Sequence, residues 1–194
     1  MAEQLSLAGI GEARAPTDRI FYGIIPDQTD AVRIEETAFS LRARHGLTGH
    51  LIPADRLHVT LCHIGDYDGL PAHFVEQAKE TASKIKMPPF DAMFDRVMSF
   101  RGGNDRNPFV LGTSDDNAAL HELRQSLFTA LKTYGPGCRS GSKFTPHITL
   151  LYDDRLVAEH PIEPLRLQFR EFVLIHSLLN HKTHIHVARW PLLG

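Results

Sequence analysis

Apolar residues recur along the chain with two different spacings, and each spacing predicts a different element. An apolar residue at every third or fourth position predicts helices at 27–45, 71–86 and 116–134. Alternating or continuous apolar runs bounded by Gly and Pro predict strands between them. These strands are 19–26, 56–64, 90–100, 108–113, 144–152, 165–179 (with a break) and 182–190. The order predicts an α+β chain in which two antiparallel sheets face a central cleft, with the helices outside.

Two of the predicted strands carry the same tetrapeptide, His58-Val-Thr-Leu61 and His147-Ile-Thr-Leu150. Side chains alternate between the two faces of a strand, so the His and Thr of each copy project to one face. The aliphatic residue and the Leu project to the other. If the two strands meet, His58, Thr60, His147 and Thr149 surround a common point.

The repeat has to be separated from chance, because His-x-Thr alone is expected about once in a chain of this composition. A third copy, His181-Lys-Thr183, has a charged middle residue. An aliphatic middle residue followed by Leu is much rarer, which favours a functional pair over two half-buried strands that carry a His by accident. Each copy also follows a strand and a helix, which indicates an internal duplication.

The four residues are suited to acid–base chemistry on a phosphate. Histidine titrates near pH 6.5, so one imidazole can accept a proton while another donates one. A threonine hydroxyl can donate a hydrogen bond to a non-bridging phosphate oxygen. Opening a 2′,3′-cyclic phosphate needs a base, an acid and such donors, and it does not need a metal.

At this point the motifs resemble those of the 2H phosphoesterase superfamily. The second motif stands in the setting Phe144-Thr-Pro-His-Ile-Thr-Leu150, and within the superfamily the chain is similar to the bacterial 2′-5′ RNA ligase-like, or RNA 2′,3′-cyclic phosphodiesterase, group. Segments 21–27 and 108–112 fit as well, so the resemblance spans about residues 19–192. It implies a bilobal, pseudo-symmetric α+β fold with its active site between the lobes.

The resemblance also implies a reaction. It assigns His58 as general acid and His147 as general base in the metal-independent hydrolysis of a 2′,3′-cyclic phosphate, on an RNA end or a nucleotide, to a 2′-phosphate. The reverse reaction, 2′-5′ RNA ligation, stays open. So does a non-catalytic module that binds a nucleotide or an RNA end in the same cleft.

The chain departs from its relatives after the second motif, where many of them carry an Arg and this chain has Leu151 and Tyr152. Other cations are therefore candidates to neutralise the phosphate, and aromatic side chains are candidates to stack on a base. The alternative for each is a solvated surface charge or a place in the core. These candidates are Lys143, Arg56, Arg101, Tyr22 and Phe100.

Other histidines and carboxylates suggest no metal or cofactor. His184 and His186 share a face of their strand, but no nearby Cys or acidic residue completes a ligand set. Asp153 and Asp154 could bind magnesium, although adjacent carboxylates on a loop are usually solvated. His63 alternates to the face opposite His58.

Composition sets the remaining expectations for this 194-residue chain. A formal charge of −2 argues against a protein that tracks long duplexes. Two cysteines do not form a disulfide scaffold, and no apolar run reaches membrane-spanning length. We expect a cytoplasmic monomer without a membrane partner, whose substrates are RNA ends or cyclic nucleotides. Residues 1–18 are expected to be a flexible leader, and 19–194 a single bilobal domain.

Overall fold

The computed structural model describes residues 15–103, 106–114, 117–136, 138, 144–181 and 183–193. Within these residues the chain forms helices α1 (Gln28–His45), α2 (Ala72–Ala82) and α3 (Ala118–Tyr134). A 3-10 turn lies at Ala54–Arg56. The strands are β1 (Asp18–Ile24), β2 (Val59–Tyr67), β3 (Phe90–Ser99), β4 (Asn107–Gly112), β5 (His147–Asp153), β6 (His160–Phe169), β7 (Glu171–Leu178) and β8 (Thr183–Pro191). The α+β class predicted from the sequence is confirmed.

The described strands form one antiparallel sheet in the order β6-β3-β4-β5-β2-β1-β7-β8. We call β2-β1-β7-β8 the first half and β5-β4-β3-β6 the second half. Each half begins at the centre with a motif strand, and a single residue pair, Val59 with Ile148, joins them. The two separate sheets expected from the sequence are thus two halves of one sheet, related by a symmetric strand order.

Helix α1 has the ends that its sequence predicts. The carboxylate of Asp27 accepts a hydrogen bond from the backbone N–H of Asp30 at 2.8 Å, which caps the first turn. Gly46 has a φ of 61°, the left-handed conformation that ends helices. The predicted apolar stripe, Ala31, Ile34, Ala38 and Leu41, is buried.

Helix α2 ends at Ala82, four residues before the predicted end. The N–H groups of Lys84 and Ile85 bond to carbonyls only three residues back, at 3.3 and 3.0 Å, so the last turn tightens. Pro88 and Pro89 follow and cannot extend a helix, since the residue before a proline avoids the helical conformation.

The helices cover one face of the central strands and leave the other face open. The Tyr22 hydroxyl on β1 donates a hydrogen bond to the Ala78 carbonyl on α2 at 2.6 Å, which fixes α2 against this face. Helix α3 packs beside α2 and against β2. The opposite face carries the cleft. None of the helices among the described residues is long and apolar enough to span a membrane.

Candidate active site

A cavity of about 440 Å³ lies where the two halves meet, and the His and Thr of both motifs line it. Its other lining residues come from both halves and from the segment between α1 and β2. They are Arg19, Phe21, Ile52, Arg56, His63, Tyr152, Ser177, Leu178, Leu179 and His184. The fold therefore brings His58, Thr60, His147 and Thr149 to one site, as their shared face requires.

Burial follows the alternation of the motifs. The intervening residues Val59 and Ile148 are 1% and 0% exposed, and the leucines at the fourth positions are equally buried. The His and Thr side chains are only partly buried. The apolar half of each motif thus anchors its strand in the core, and the polar half is presented to the cavity.

Both catalytic candidates are oriented by the same backbone interaction. The Nδ1 of His58 lies 2.7 Å from the Arg56 carbonyl oxygen, and the Nδ1 of His147 lies 2.7 Å from the Thr145 carbonyl oxygen. A carbonyl only accepts, so each Nδ1 must carry the proton and donate it. In the neutral form the lone pair is then on Nε2, which is the atom left to exchange a proton with a substrate.

Burial depresses the basicity of both imidazoles. Desolvation lowers the pKa of His58 to about 4; the hydrogen bond to the Arg56 carbonyl opposes this, and the charges of His147, Arg56 and His186 add to it. Burial also lowers the pKa of His147, against the hydrogen bond to Thr145. Both rings are therefore neutral at physiological pH in the unliganded site.

The rings around the two histidines differ. The His58 ring centroid lies 5.1 Å from that of Phe21 and 5.2 Å from that of His184. The His147 ring centroid lies 4.9 Å from that of Phe100, with the two rings nearly perpendicular. Burial, followed by the charge of His58, lowers the pKa of His184 to about 3, so this third imidazole is neutral beside His58.

A bulge in each motif strand brings a further side chain into the cavity. Thr60 pairs with Gly23 and Cys62 with Tyr22, so Leu61 is an extra residue in β2. One extra residue reverses the alternation beyond it, and His63 therefore lines the cavity beside His58. The expectation that His63 lies on the opposite face is wrong for this reason.

The second motif strand has the same irregularity at the same position. Thr149 pairs with Val110 and Leu151 with Phe109, which leaves Leu150 as the extra residue of β5. Beyond it, Tyr152 reaches the cavity. The two motif leucines thus mark equivalent bulges, and the structural equivalence of the two motif strands extends past the tetrapeptides.

The cations of the cavity differ in how far they are already neutralised. Arg19 donates two hydrogen bonds to the Asp66 carboxylate, at 2.7 and 3.0 Å, and His63 lies 2.9 Å from the same carboxylate. These contacts, first of all the one to Arg19, lower the pKa of Asp66 to about 2. Arg56 has no ion pair with another described residue, and its buried Nε lacks a hydrogen-bond partner there.

The other candidates predicted from the sequence differ in whether they line the cavity. Arg56 lines the cavity, although it lies in the 3-10 turn and not on a strand. Phe100 contacts His147 but does not line the cavity, and Arg101 is exposed outside it. Tyr22 is 0% exposed in the core, so it cannot stack on a base. Lys143 lies outside the described residues.

Sequence reasoning missed several residues of the cavity. Arg19 and Phe21 are two apart on β1, the spacing of side chains on one face. That signal was present, but the sequence does not say which face of β1 meets the cleft. In the sequence, His184 stands out only for its spacing from His186, which suits a metal ligand. Among the described residues there is no group of three or more side chains suited to hold a metal.

Asp153 is a structural carboxylate and not a solvated one. It is 5% exposed, and its oxygens accept hydrogen bonds from the backbone N–H groups of Thr48 (2.7 Å), Gly49 (2.8 Å) and Arg155 (3.0 Å). Burial alone would raise the pKa of Asp153, but the three backbone donors outweigh it and lower the value to about 2. The carboxylate ties the segment after α1 to the end of β5.

Replacing Asp153 by Asn should lower the free energy of unfolding by about 1–3 kcal/mol at pH 7, since a charged acceptor is lost. The folded pKa lies below the unfolded one, so this contribution is complete above about pH 4 and is lost as pH falls toward 2. Urea unfolding between pH 7 and pH 3 measures it. Asp91→Asn, which removes an exposed ion pair to Arg166, is the control and should change little. Equal effects of the two variants would contradict the prediction.

Residues 26–180 match the model of the 2′-5′ RNA ligase superfamily, which covers most of the chain. The chain belongs to this family. The 2H phosphoesterase resemblance seen in the motifs is thereby confirmed. No curated protein matches the chain.

Solved structures of similar proteins have the same fold. E. coli LigT complexed with 3′-AMP is 26% identical, with a TM-score of 0.69 over 93% of this chain and 100% of LigT. LigT in its apo form is 24% identical, with a TM-score of 0.68 and the same coverage. TT0787 of Thermus thermophilus is 19% identical over 91% of this chain and 98% of its own, with a TM-score of 0.69. Family and neighbours together support a 2H phosphoesterase or 2′-5′ RNA ligase-like function.

Proposed function

We propose that this protein hydrolyses 2′,3′-cyclic phosphates, on RNA ends or nucleotides, to 2′-phosphates without a metal. One observation carries the proposal. Two imidazoles line a single cavity together with two threonine hydroxyls, and each imidazole has its Nδ1 bonded to the carbonyl two residues before it. Two such rings, both with Nε2 left for proton transfer, supply an acid and a base in one site.

The reaction balances with these groups alone. His147 accepts a proton from water as the water oxygen attacks phosphorus, and the bond between phosphorus and the 3′ oxygen breaks. His58 donates a proton to the departing 3′ oxygen, which leaves a 3′-hydroxyl and a 2′-phosphate. This assignment of acid and base follows the family resemblance. Proton exchange with solvent then restores both histidines.

Substrate binding supplies the protonation state that the acid needs. The pKa of His58 is about 4 in the free site, because the ring is buried among other basic groups. An anionic phosphate next to the ring favours the imidazolium and raises its pKa. His58 therefore gains its proton together with the substrate. The threonine hydroxyls of Thr60 and Thr149 donate hydrogen bonds to the non-bridging oxygens, where negative charge is concentrated.

Arg56 is the cation best placed to neutralise the phosphate. It lines the cavity and is bonded through its carbonyl to His58, so it lies beside the reacting centre. Its Nε is buried with no hydrogen-bond partner among the described residues, a state that costs free energy unless a ligand supplies an acceptor. Arg19, by contrast, already shares its charge with Asp66.

A turnover assay tests the proposal directly. Adenosine 2′,3′-cyclic phosphate and an oligoribonucleotide ending in a 2′,3′-cyclic phosphate are incubated with the protein in the presence of EDTA, and the product is identified by 31P NMR. The expected product is the 2′-phosphate. If both compounds are bound but unchanged, the non-catalytic module is the correct interpretation. If EDTA abolishes turnover, the metal-free mechanism is wrong.

The same assay also addresses ligation. An oligoribonucleotide with a 5′-hydroxyl is added beside the cyclic-phosphate end, and its 5′ oxygen can take the place of water in the attack. A 2′-5′ joined product would appear as a longer oligomer on a denaturing gel. Because the same histidines serve both directions, hydrolysis and ligation should be lost together in their variants.

A further inference from the structure

The cleft is asymmetric in its chemistry although its strands are arranged symmetrically. Two described arginines line it, Arg19 on β1 of the first half and Arg56 in the 3-10 turn that precedes β2. At the position equivalent to His63, the second half supplies the phenol ring of Tyr152. The two walls of the cavity therefore favour different parts of a ligand.

The Tyr152 side chain lines the cavity and is accessible to solvent. It is 42% exposed, whereas its strand neighbours Leu151 and Asp153 are 0% and 5% exposed. The bulge at Leu150 turns the Tyr152 side chain toward the cavity, so the backbone of β5 sets the direction of the ring. An exposed ring on a rigid strand is a stacking platform for a planar apolar surface.

The surroundings of Tyr152 suit a nucleobase. The guanidinium carbon of Arg106 lies 5.8 Å from the Tyr152 ring centroid, a cation–π contact that restrains the ring. The end of its strand is held by the buried Asp153 carboxylate and its backbone donors. The cavity of about 440 Å³ is within the range of sites that enclose a small molecule, about 300–1,000 Å³.

We infer that Tyr152 forms a nucleobase subsite in which the base of the substrate stacks on its ring while the phosphate faces Arg56 and the motif histidines. The inference rests on the proposed function for the identity of the substrate. It adds that the ligand lies across the cleft in one direction, with its phosphate between the two motif histidines beside Arg56 and its base toward Tyr152. It also makes the base, and not only the cyclic phosphate, a determinant of recognition.

Two substrates that differ only in the base separate this role from any other. Tyr152→Ala should raise KM for adenosine 2′,3′-cyclic phosphate about 10-fold, the order expected for one lost base–aromatic stack. Its kcat should change little, because the ring does not touch the reacting atoms. KM for ribose 2′,3′-cyclic phosphate, which has no base, should be unchanged. Tyr152→Phe keeps the ring and should behave like the unmodified protein.

Tyr134→Ala is the matched control, since Tyr134 is an exposed tyrosine on α3 outside the cavity. It should leave KM for both substrates unchanged. If Tyr152→Ala changes KM equally for the two substrates, or for neither, the subsite is overturned.

A binding measurement keeps the test independent of turnover. Calorimetry with adenosine 2′-phosphate should show about 10-fold weaker binding to Tyr152→Ala than to Tyr152→Phe. Absence of turnover in every variant, with this difference in binding intact, would sink the proposed hydrolysis and leave the subsite standing. Equal affinities for the two variants would remove the subsite whatever the catalytic result.

Discussion

Replacement of His58 or His147 by alanine is expected to lower kcat for a 2′,3′-cyclic nucleotide by at least about 10²-fold, because each variant removes one proton-transfer group. In the proposed reaction one ring is the acid and the other is the base, so neither should be able to replace the other. Initial rates with adenosine 2′,3′-cyclic phosphate measure the effect. The double variant should be little worse than either single one, since acid and base act as a unit.

The control for this prediction is His73→Ala, an exposed histidine on α2 that is remote from the cavity lining. It should retain full activity. Circular dichroism and the midpoint of urea unfolding should show that all variants keep the fold, because the histidines are anchored by backbone bonds and not by core packing. A variant of either motif histidine that keeps more than a tenth of the rate would refute the assignment.

Loss of the two threonine hydroxyls is expected to have the second largest effect. Thr60→Val and Thr149→Val should each lower kcat about 10-fold or more, because a hydrogen bond to a charged group is worth about 1.5–3 kcal/mol. Valine keeps the branched shape of threonine and its strand rotamer, so the hydroxyl alone is removed. Steady-state kinetics on the cyclic nucleotide, with kcat and KM separated, measure the loss.

Serine provides the matched comparison at both positions. Thr60→Ser and Thr149→Ser keep the donor and should recover most of the rate, with a residual deficit because serine holds its rotamer less firmly. If the Val and Ser variants are equally slow, the methyl group and not the hydroxyl matters at that position, and the role in binding phosphate oxygens is wrong.

The meeting of the two motifs could be predicted from the sequence because two patterns agree, the repeated tetrapeptide and the alternation of side chains along a strand. The period of two assigns His and Thr to one face, and the buried Val59 and Ile148 show why that face is turned away from the core. The helices were equally readable, since apolar stripes and end residues such as Asp27 and Gly46 are local signals.

The rest of the site depends on features that a local pattern does not encode. A bulge is visible only against a partner strand, and Leu61 and Leu150 read as ordinary core residues until their pairing is known. One such residue decides whether His63 and Tyr152 face the cavity. The sequence also does not show whether Tyr22 or Phe21 faces the cavity. These adjacent residues lie on opposite faces of β1, and only the position of α2 decides which face is covered.

The connection between the two halves has a consequence for the reacting groups themselves. Val59 and Ile148, its one residue pair, directly follow His58 and His147 in the chain. The two motif histidines are therefore adjacent to the one strand pair that joins the halves, and the buried aliphatic side chains of that pair pack on the face opposite the cavity. Core packing at these two positions thus helps to set the distance between the two histidine rings, although neither aliphatic side chain lines the cavity.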